Sequence, residues 1–216
     1  MCGEVARERN MWNGSIGLAR RITPGLIKLP ILLARWRHQE NVKVSEFPPS
    51  ENEVVVIVIV MGTTGSGKTT IGTLLAKRLE WEFVDADDFH PAANVEKMKH
   101  GIPLTDEDRE PWLKVLHDKI LEWSAEKRSV VLACSALKQS YRDELRASSD
   151  VKFVYLKGSY ELFSRRVLAR KGHFAKQDLL TSQFATLEEP TDAVTVDASP
   201  PPEQIVREVR TRLDLA

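Results

Sequence analysis

Disulfide chemistry has almost no material in this chain, since Cys2 and Cys134 are its only cysteines. They are far apart and too few for a framework, which points to a reducing compartment. Net charge is lacking too: 31 basic and 31 acidic residues cancel, so the basic footprint of a nucleic-acid binder is missing. The longest apolar run, residues 54–61, falls well short of the roughly 18 residues a membrane helix needs and reads as a buried strand. What is present is 216 residues, enough for one α/β domain with a large core and an additional segment.

The charge balance hides an asymmetry. Arg9, Arg20, Arg21, Lys28, Arg35 and Arg37 fall between Glu8 and Glu40 with no acidic residue among them. Pro24, Gly25, Pro30, Pro48 and Pro49 interrupt any periodicity there. Residues 1–52 therefore read as a poorly structured or accessory extension, or as sequence upstream of the true start, and 53–216 as the domain. A transit peptide is the organellar alternative to a cytoplasmic location, but Glu4, Glu8 and sparse serine argue against it. A membrane-surface or partner-binding role for 26–37 meets the obstacle of Pro30.

The most informative segment is Gly62-Thr63-Thr64-Gly65-Ser66-Gly67-Lys68-Thr69, which matches G-x-x-x-x-G-K-[ST] directly after the apolar run. The glycines let the backbone curl so that successive N–H groups face phosphate oxygens. Lys68 reaches the β- and γ-phosphates, Thr69 offers a hydroxyl to Mg²⁺, and Thr70 continues the cradle. A helix follows, with Ile71, Leu74, Leu75 and Leu79 on one face. A ligand-free glycine turn is the bland alternative; the strand before and the helix after favour nucleotide binding.

Strand-like and helix-like segments then alternate: strands at 54–61, 82–84, 130–134, 151–156 and 193–196, with helices at 68–79, within 94–127, and at 140–146, 160–170 and 203–213. This βαβ rhythm predicts a parallel sheet of about five strands with helices on both faces. Ligands collect at the carboxyl ends of such strands. Asp85 and Asp87 follow the second strand, and a phosphoryl transferase needs one carboxylate near Mg²⁺ and another near the acceptor hydroxyl. Capping is the alternative use of these aspartates, and Asp88 reads as a cap.

The third strand ends in Cys134-Ser135, without the acidic pair of a motor ATPase, and no Asn-Lys-x-Asp guanine-reading segment occurs. The remaining class is a small phosphate-loop kinase with a mobile lid. Arg166 and Arg170 share a helix face before Lys171-Gly172-His173, so the lid is expected across 166–174, with Arg166 and Arg170 on the phosphates and Arg165 merely solvated.

At this point the chain resembles the gluconate kinases, from about Val55 to the carboxyl terminus. The likeness is carried by the phosphate loop, Asp85-Ala86-Asp87-Asp88-Phe89-His90-Pro91, Asn94 with Glu96-Lys97-Met98, and Gly101-Ile102-Pro103-Leu104. It continues through Asp106-Glu107-Asp108-Arg109, Pro111-Trp112-Leu113, Cys134-Ser135-Ala136-Leu137-Lys138 and Tyr141-Arg142. Tyr155-Leu156-Lys157-Gly158, Arg170-Lys171-Gly172-His173-Phe174, Gln183-Phe184 and Leu187-Glu188-Glu189-Pro190 complete it. The resemblance implies ATP- and Mg²⁺-dependent phosphorylation of D-gluconate to 6-phosphogluconate, with a homodimer as one assembly state.

A sugar acid presents a carboxylate and several hydroxyls, so cations and hydrogen-bonding groups are expected around it. His90, Arg109, Lys138, Tyr141, Arg142 and His173 are the candidates, beside Asp87 on the acceptor hydroxyl. Lys68, Asp87 and Arg170 carry the transfer, and Thr69 with Asp85 serves the metal. Trp112 either lines the substrate or wedges helices, and Tyr141-Arg142 either contacts substrate or starts a surface helix. The departures from the family pattern are the extension and Ala86, where a glycine also occurs. A shikimate-type or nucleoside-monophosphate kinase, or a nucleotide-binding module without catalysis, are the competing readings.

Overall fold

The computed structural model describes residues 54–100, 102–169 and 174–215, all within the compact unit Pro48–Ala216. The expectations for 1–52, Arg170, Lys171, Gly172 and His173 lie outside the described residues.

Five strands, β1 (Ile57–Met61), β2 (Glu82–Asp85), β3 (Val130–Ala133), β4 (Val151–Lys157) and β5 (Val194–Asp197), form one sheet in the order β2-β3-β1-β4-β5. Every pairing is parallel, with Ile57 opposite both Val130 and Val151. All five residues of β1 are buried, as the central strand of a sheet covered on both faces requires. β1 begins three residues later than the apolar run suggests, because Val54 is exposed.

Alternation of side chains gives the two cores. Ile57, Ile59, Leu132 and Phe153 face one layer with Trp112, Leu116, Ile120 and Leu145, which come from α3 (Asp106–Ala125) and α4 (Gln139–Leu145). Val58, Val60, Val131 and Val154 face the other, with Ile71, Leu75, Phe163 and Val209. Those residues belong to α1 (Lys68–Leu79), α5 (Tyr160–Leu168) and α7 (Pro202–Leu213). The expected α/β sandwich is therefore present.

Two stretches differ from the sequence expectation. The polar region 94–127 is two helices, α2 (Ala92–Lys99) and α3, because Pro103 intervenes and Thr105 starts a new one. The Thr105 hydroxyl accepts from Asp108 N–H while the Asp108 carboxylate accepts from Thr105 N–H, a closed capping box. Within 171–190 lies a further helix, α6 (Phe174–Thr186), which the sequence pattern does not announce. Among the described residues no helix is long and apolar enough to cross a membrane.

Candidate active site

Because β1 pairs with β3 on one side and β4 on the other, the chain reverses its direction of winding at β1. The phosphate loop sits at that switch point, where open α/β sheets bind ligands. Two glycines explain its shape. Gly67 has φ 101° at the amino end of α1, and Gly65 has φ 79°, conformations that glycine adopts without steric cost. A Cβ on Gly65 would come within 2.8 Å of the Phe163 carbonyl oxygen, so α5 also requires a glycine there.

Backbone and side-chain groups from the ends of β2 and β3 meet at this turn. The Lys68 ammonium donates to Thr63 O at 3.1 Å, holding its charge over the loop. Gly62 N–H donates to Ser135 O at 3.4 Å, which ties the loop to the exit of β3. Asp85 ends β2 and does two things: Oδ1 accepts from Asp87 N–H at 3.1 Å, and Oδ2 accepts from the Thr69 hydroxyl at 3.2 Å. The first bond caps the single 3₁₀ turn Ala86–Phe89, so Asp85 is both cap and neighbour of the expected metal-binding hydroxyl.

Asp87 stands at the junction of two hollows. One, of about 170 Å³, is bounded by Gly65, Gly67, Lys68, Thr69, Asp85 and Asp87; the other, of about 130 Å³, runs from Lys68 and Asp87 to His90, Arg109, Trp112 and Gln183. Desolvation in the cleft raises the Asp87 pKa above the ordinary carboxylate value, and the Asp85 charge adds to it while Lys68 opposes it. The carboxylate itself keeps contact with solvent at the cleft mouth, which moderates the effect of burial.

The wall of the second hollow is rigid. His90 stacks on Trp112 with ring centroids 4.3 Å apart and planes 14° apart. Burial and then the Arg109 charge lower the His90 pKa to about 4, so its imidazole is neutral near pH 7. Asn94 donates to Asp108 O at 2.7 Å, and Lys97 pairs with the Asp108 carboxylate at 2.7 Å, fastening α2 to the start of α3. Trp112 thus lines the cleft and also wedges the helices.

Lys138 and Tyr141 lie beside Arg109 and meet at Asp106. The Lys138 ammonium donates to Asp106 Oδ2 at 2.6 Å, the Tyr141 hydroxyl donates to Oδ1, and Arg109 stands 4.0 Å from that same oxygen. The hydrogen bond from Lys138, then that from Tyr141, holds the Asp106 carboxyl below its usual range. Arg109 also donates to Leu104 O at 2.7 Å and lies 5.7 Å from the centre of the Tyr141 ring.

Arg142 is placed differently from the expectation of a substrate contact. It is 1% exposed, and its guanidinium donates to Ala136 O at 2.9 Å, Leu137 O at 3.1 Å and Gln139 Oε1 at 2.7 Å. The reason is backbone shape: Ala136 has φ 44°, a left-handed conformation, and the buried guanidinium binds carbonyls at this turn. Arg142 therefore supports the loop that presents Lys138.

A third hollow, of about 360 Å³, opens on the other side of the phosphate loop between Gly65, Thr70, Arg166, Ala198 and Pro200. Arg166 donates to Ser66 O at 3.3 Å and to Ala198 O at 2.7 Å, so it spans from the phosphate loop to the turn after β5. The two hollows flanking the loop have the arrangement needed for a donor nucleotide on one side and an acceptor on the other.

Two side chains in the site have no role readable from sequence. Asp106 gathers three candidate substrate residues, and Gln183 accepts from Thr64 N–H at 2.6 Å across 119 residues. Both lie in segments that carry the family resemblance, the only signal that pointed near them.

Comparison with known proteins identifies relatives of this domain. A family model described as Shikimate kinase matches residues 64–214. A probable gluconokinase of Xenopus tropicalis is 45% identical over 178 residues, covering 74% of this chain and 94% of the relative. The thermoresistant gluconokinase of Escherichia coli K12 is 43% identical, with 69% and 89% covered. Among solved structures, a gluconokinase from Sinorhizobium meliloti 1021 superposes with a TM-score of 0.68 at 40% identity, covering 75% of this chain and 93% of its own.

Proposed function

The chain belongs to the gluconokinase family of phosphate-loop kinases, and we propose that it transfers the γ-phosphoryl group of ATP to the terminal hydroxyl of D-gluconate, giving 6-phosphogluconate and ADP. The observation that carries the reading is the position of Asp87, shared between the phosphate-side hollow and a second hollow lined by His90 and Arg109. A carboxylate there borders both the donor and the acceptor.

In this mechanism the amides of 62–69 cradle the phosphates, and Lys68 offsets negative charge that accumulates during transfer. Asp87 accepts the hydroxyl proton as the new O–P bond forms and the bond to the β-phosphate oxygen breaks. Burial, and then the Asp85 charge, raise the Asp87 pKa above the ordinary carboxylate value, which makes it a better base than an ordinary carboxylate. Arg109 and Lys138 suit the substrate carboxylate, and Tyr141 suits its hydroxyls. Arg166, with Arg170 and His173 from the lid segment, completes the proposed set around the phosphates and acceptor.

The donors around Thr69 fit Mg²⁺. A hydroxyl and a carboxylate oxygen 3.2 Å apart suit a hard cation that takes its remaining ligands from phosphates and water. The ion supplies charge neutralisation when bound; Thr69 and Asp85 supply the protein oxygens. We further propose a homodimer in a reducing compartment, the cytosol, which light scattering and subcellular fractionation test.

A coupled assay offering gluconate, other aldonic acids, shikimate and AMP tests the assignment. Gluconate should be used with the highest kcat/KM. Preference for shikimate or AMP overturns the acceptor assignment, and nucleotide binding without transfer to any acceptor supports a silent module instead.

A further inference from the structure

Helix α6 and the segment just after it make hydrogen bonds to the two loops between which a phosphoryl group would move. At its carboxyl-terminal part, Gln183 Oε1 accepts from Thr64 N–H of the phosphate loop at 2.6 Å. Just beyond the helix, Glu188 N–H donates to Leu137 O at 2.9 Å, and the Glu188 carboxylate accepts from Gln139 N–H at 2.6 Å. Leu137 and Gln139 flank Lys138, whose ammonium donates to Asp106 beside Arg109.

The helix is seated firmly enough for these contacts to be set by packing. Leu180 is fully buried, and Phe184 contacts Tyr160 and Phe163 of α5 at ring-centroid distances of 5.3 and 6.0 Å. The α5 backbone in turn approaches Gly65 so closely that no side chain fits. Gln183 also lines the acceptor hollow with Thr64, Lys68 and Asp87. A carboxamide has one accepting oxygen and two donating N–H bonds; here the oxygen is engaged by Thr64 N–H.

We propose that Gln183 is a positioning residue for phosphoryl transfer, which sets the Thr64 amide of the phosphate loop and, through α6 and Glu188, ties that loop to the acceptor loop carrying Lys138. This rests on the gluconate kinase reading of the site. The bond from Thr64 fixes the direction of an amide at the edge of the phosphate cradle. Glu188, just beyond that helix, ties down the turn that carries Lys138, so the two loops keep one mutual register. A misplacement of about 1 Å costs as much as 10²-fold in rate, and loss of register favours water over the sugar acid as the acceptor.

The test is to measure ADP and phosphorylated acceptor separately for the full chain with ATP, Mg²⁺ and gluconate, alongside thermal melting. Wild type should give one ADP per product. Gln183→Met, similar in length but without the acceptor, should lower kcat about 10- to 100-fold and release more ADP than product. Gln183→Glu keeps an oxygen for Thr64 N–H; it should restore the ratio towards one, with a higher KM for ATP from its charge. Gln183→Asn, one methylene shorter, withdraws the acceptor while staying polar, and serves if the Met variant fails to fold.

A one-to-one ratio with wild-type kcat in the Met or Asn variant overturns the proposal, as does a Glu variant no better coupled than Met. A wild-type chain that leaves gluconate untouched overturns the proposed substrate instead. The Gln183 ratio is then scored with whichever acceptor the wild type uses.

Discussion

The indole N–H of Trp112 donates a 2.7 Å hydrogen bond to the carbonyl oxygen of Ala86, a residue 26 positions earlier and fully buried. This bond joins the second turn of helix α3 to the turn that holds Asp85 and Asp87. The same indole forms the platform for His90, so one side chain anchors the turn after β2 and one wall of the cleft.

Trp112→Phe tests that arrangement. The ring stack survives in part, but the Ala86 carbonyl loses its donor in a buried place, which costs about 1–3 kcal/mol. Urea unfolding should show a lower midpoint. Because the carbonyl adjoins Asp87, kcat should fall more than the KM for ATP rises; a variant with wild-type kcat would show that the turn holds its shape without the indole.

Lys68→Ala removes the ammonium that donates to Thr63 O over the phosphate loop. The expected loss in kcat/KM is about 10²–10³-fold, with the fold intact by circular dichroism. Turnover within about tenfold of wild type would assign the charge neutralisation to another cation.

Much of this site was legible in the sequence because its parts are local. The phosphate loop, the Asp85 to His90 turn and the helix start at Lys68 are short segments whose geometry follows from glycine placement and spacing. The sheet followed from alternating segments, and Lys68–Leu79 has the expected bounds. Helix α6 was not legible: its side chains carry no clear apolar stripe, and among its described side chains only Leu180 is fully buried. Arg142 looked like a substrate cation because the left-handed turn at Ala136 that needs its guanidinium leaves no mark in residue type. Gln183 and Asp106 act across 119 and 32 to 35 residues, and single-sequence patterns do not encode such distances.

His90 gives a pH signature of stability. Its pKa falls from 6.5 in the unfolded reference to about 4 in the folded cleft, through burial first and the Arg109 charge second. Between these values the unfolded chain binds a proton that the folded chain refuses, so this contribution is present above pH 6.5 and is lost as pH falls towards 4. His90→Gln should flatten the dependence of the urea midpoint on pH across that window. An unchanged difference between variant and wild type at pH 7 and pH 4.5 would mean that His90 titrates normally.

Every residue assigned to the site lies after position 61, so a chain lacking residues 1–50 should retain kinase activity and thermal stability close to those of the full chain. Insolubility or loss of turnover on truncation would show that the extension contributes to the kinase domain.

The two aspartates should separate in their response to Mg²⁺. Asp85 accepts from the Thr69 hydroxyl, while Asp87 borders the acceptor hollow, so Asp85→Asn should raise the Mg²⁺ concentration for half-maximal rate. Asp87→Asn keeps size and hydrogen bonding but removes the base, and should bind both substrates yet transfer slowly. The pH profile gives a second readout. Because burial and then Asp85 raise the Asp87 pKa, the acid limb of kcat should lie above the ordinary carboxylate range, with activity lost as pH falls through it, and Asp87→Asn should abolish that limb. Rescue of Asp87→Asn, but not Asp85→Asn, by added Mg²⁺ would reverse the two roles. If neither substitution slows transfer, both carboxylates serve the turn alone, as Asp85 already does by accepting from Asp87 N–H.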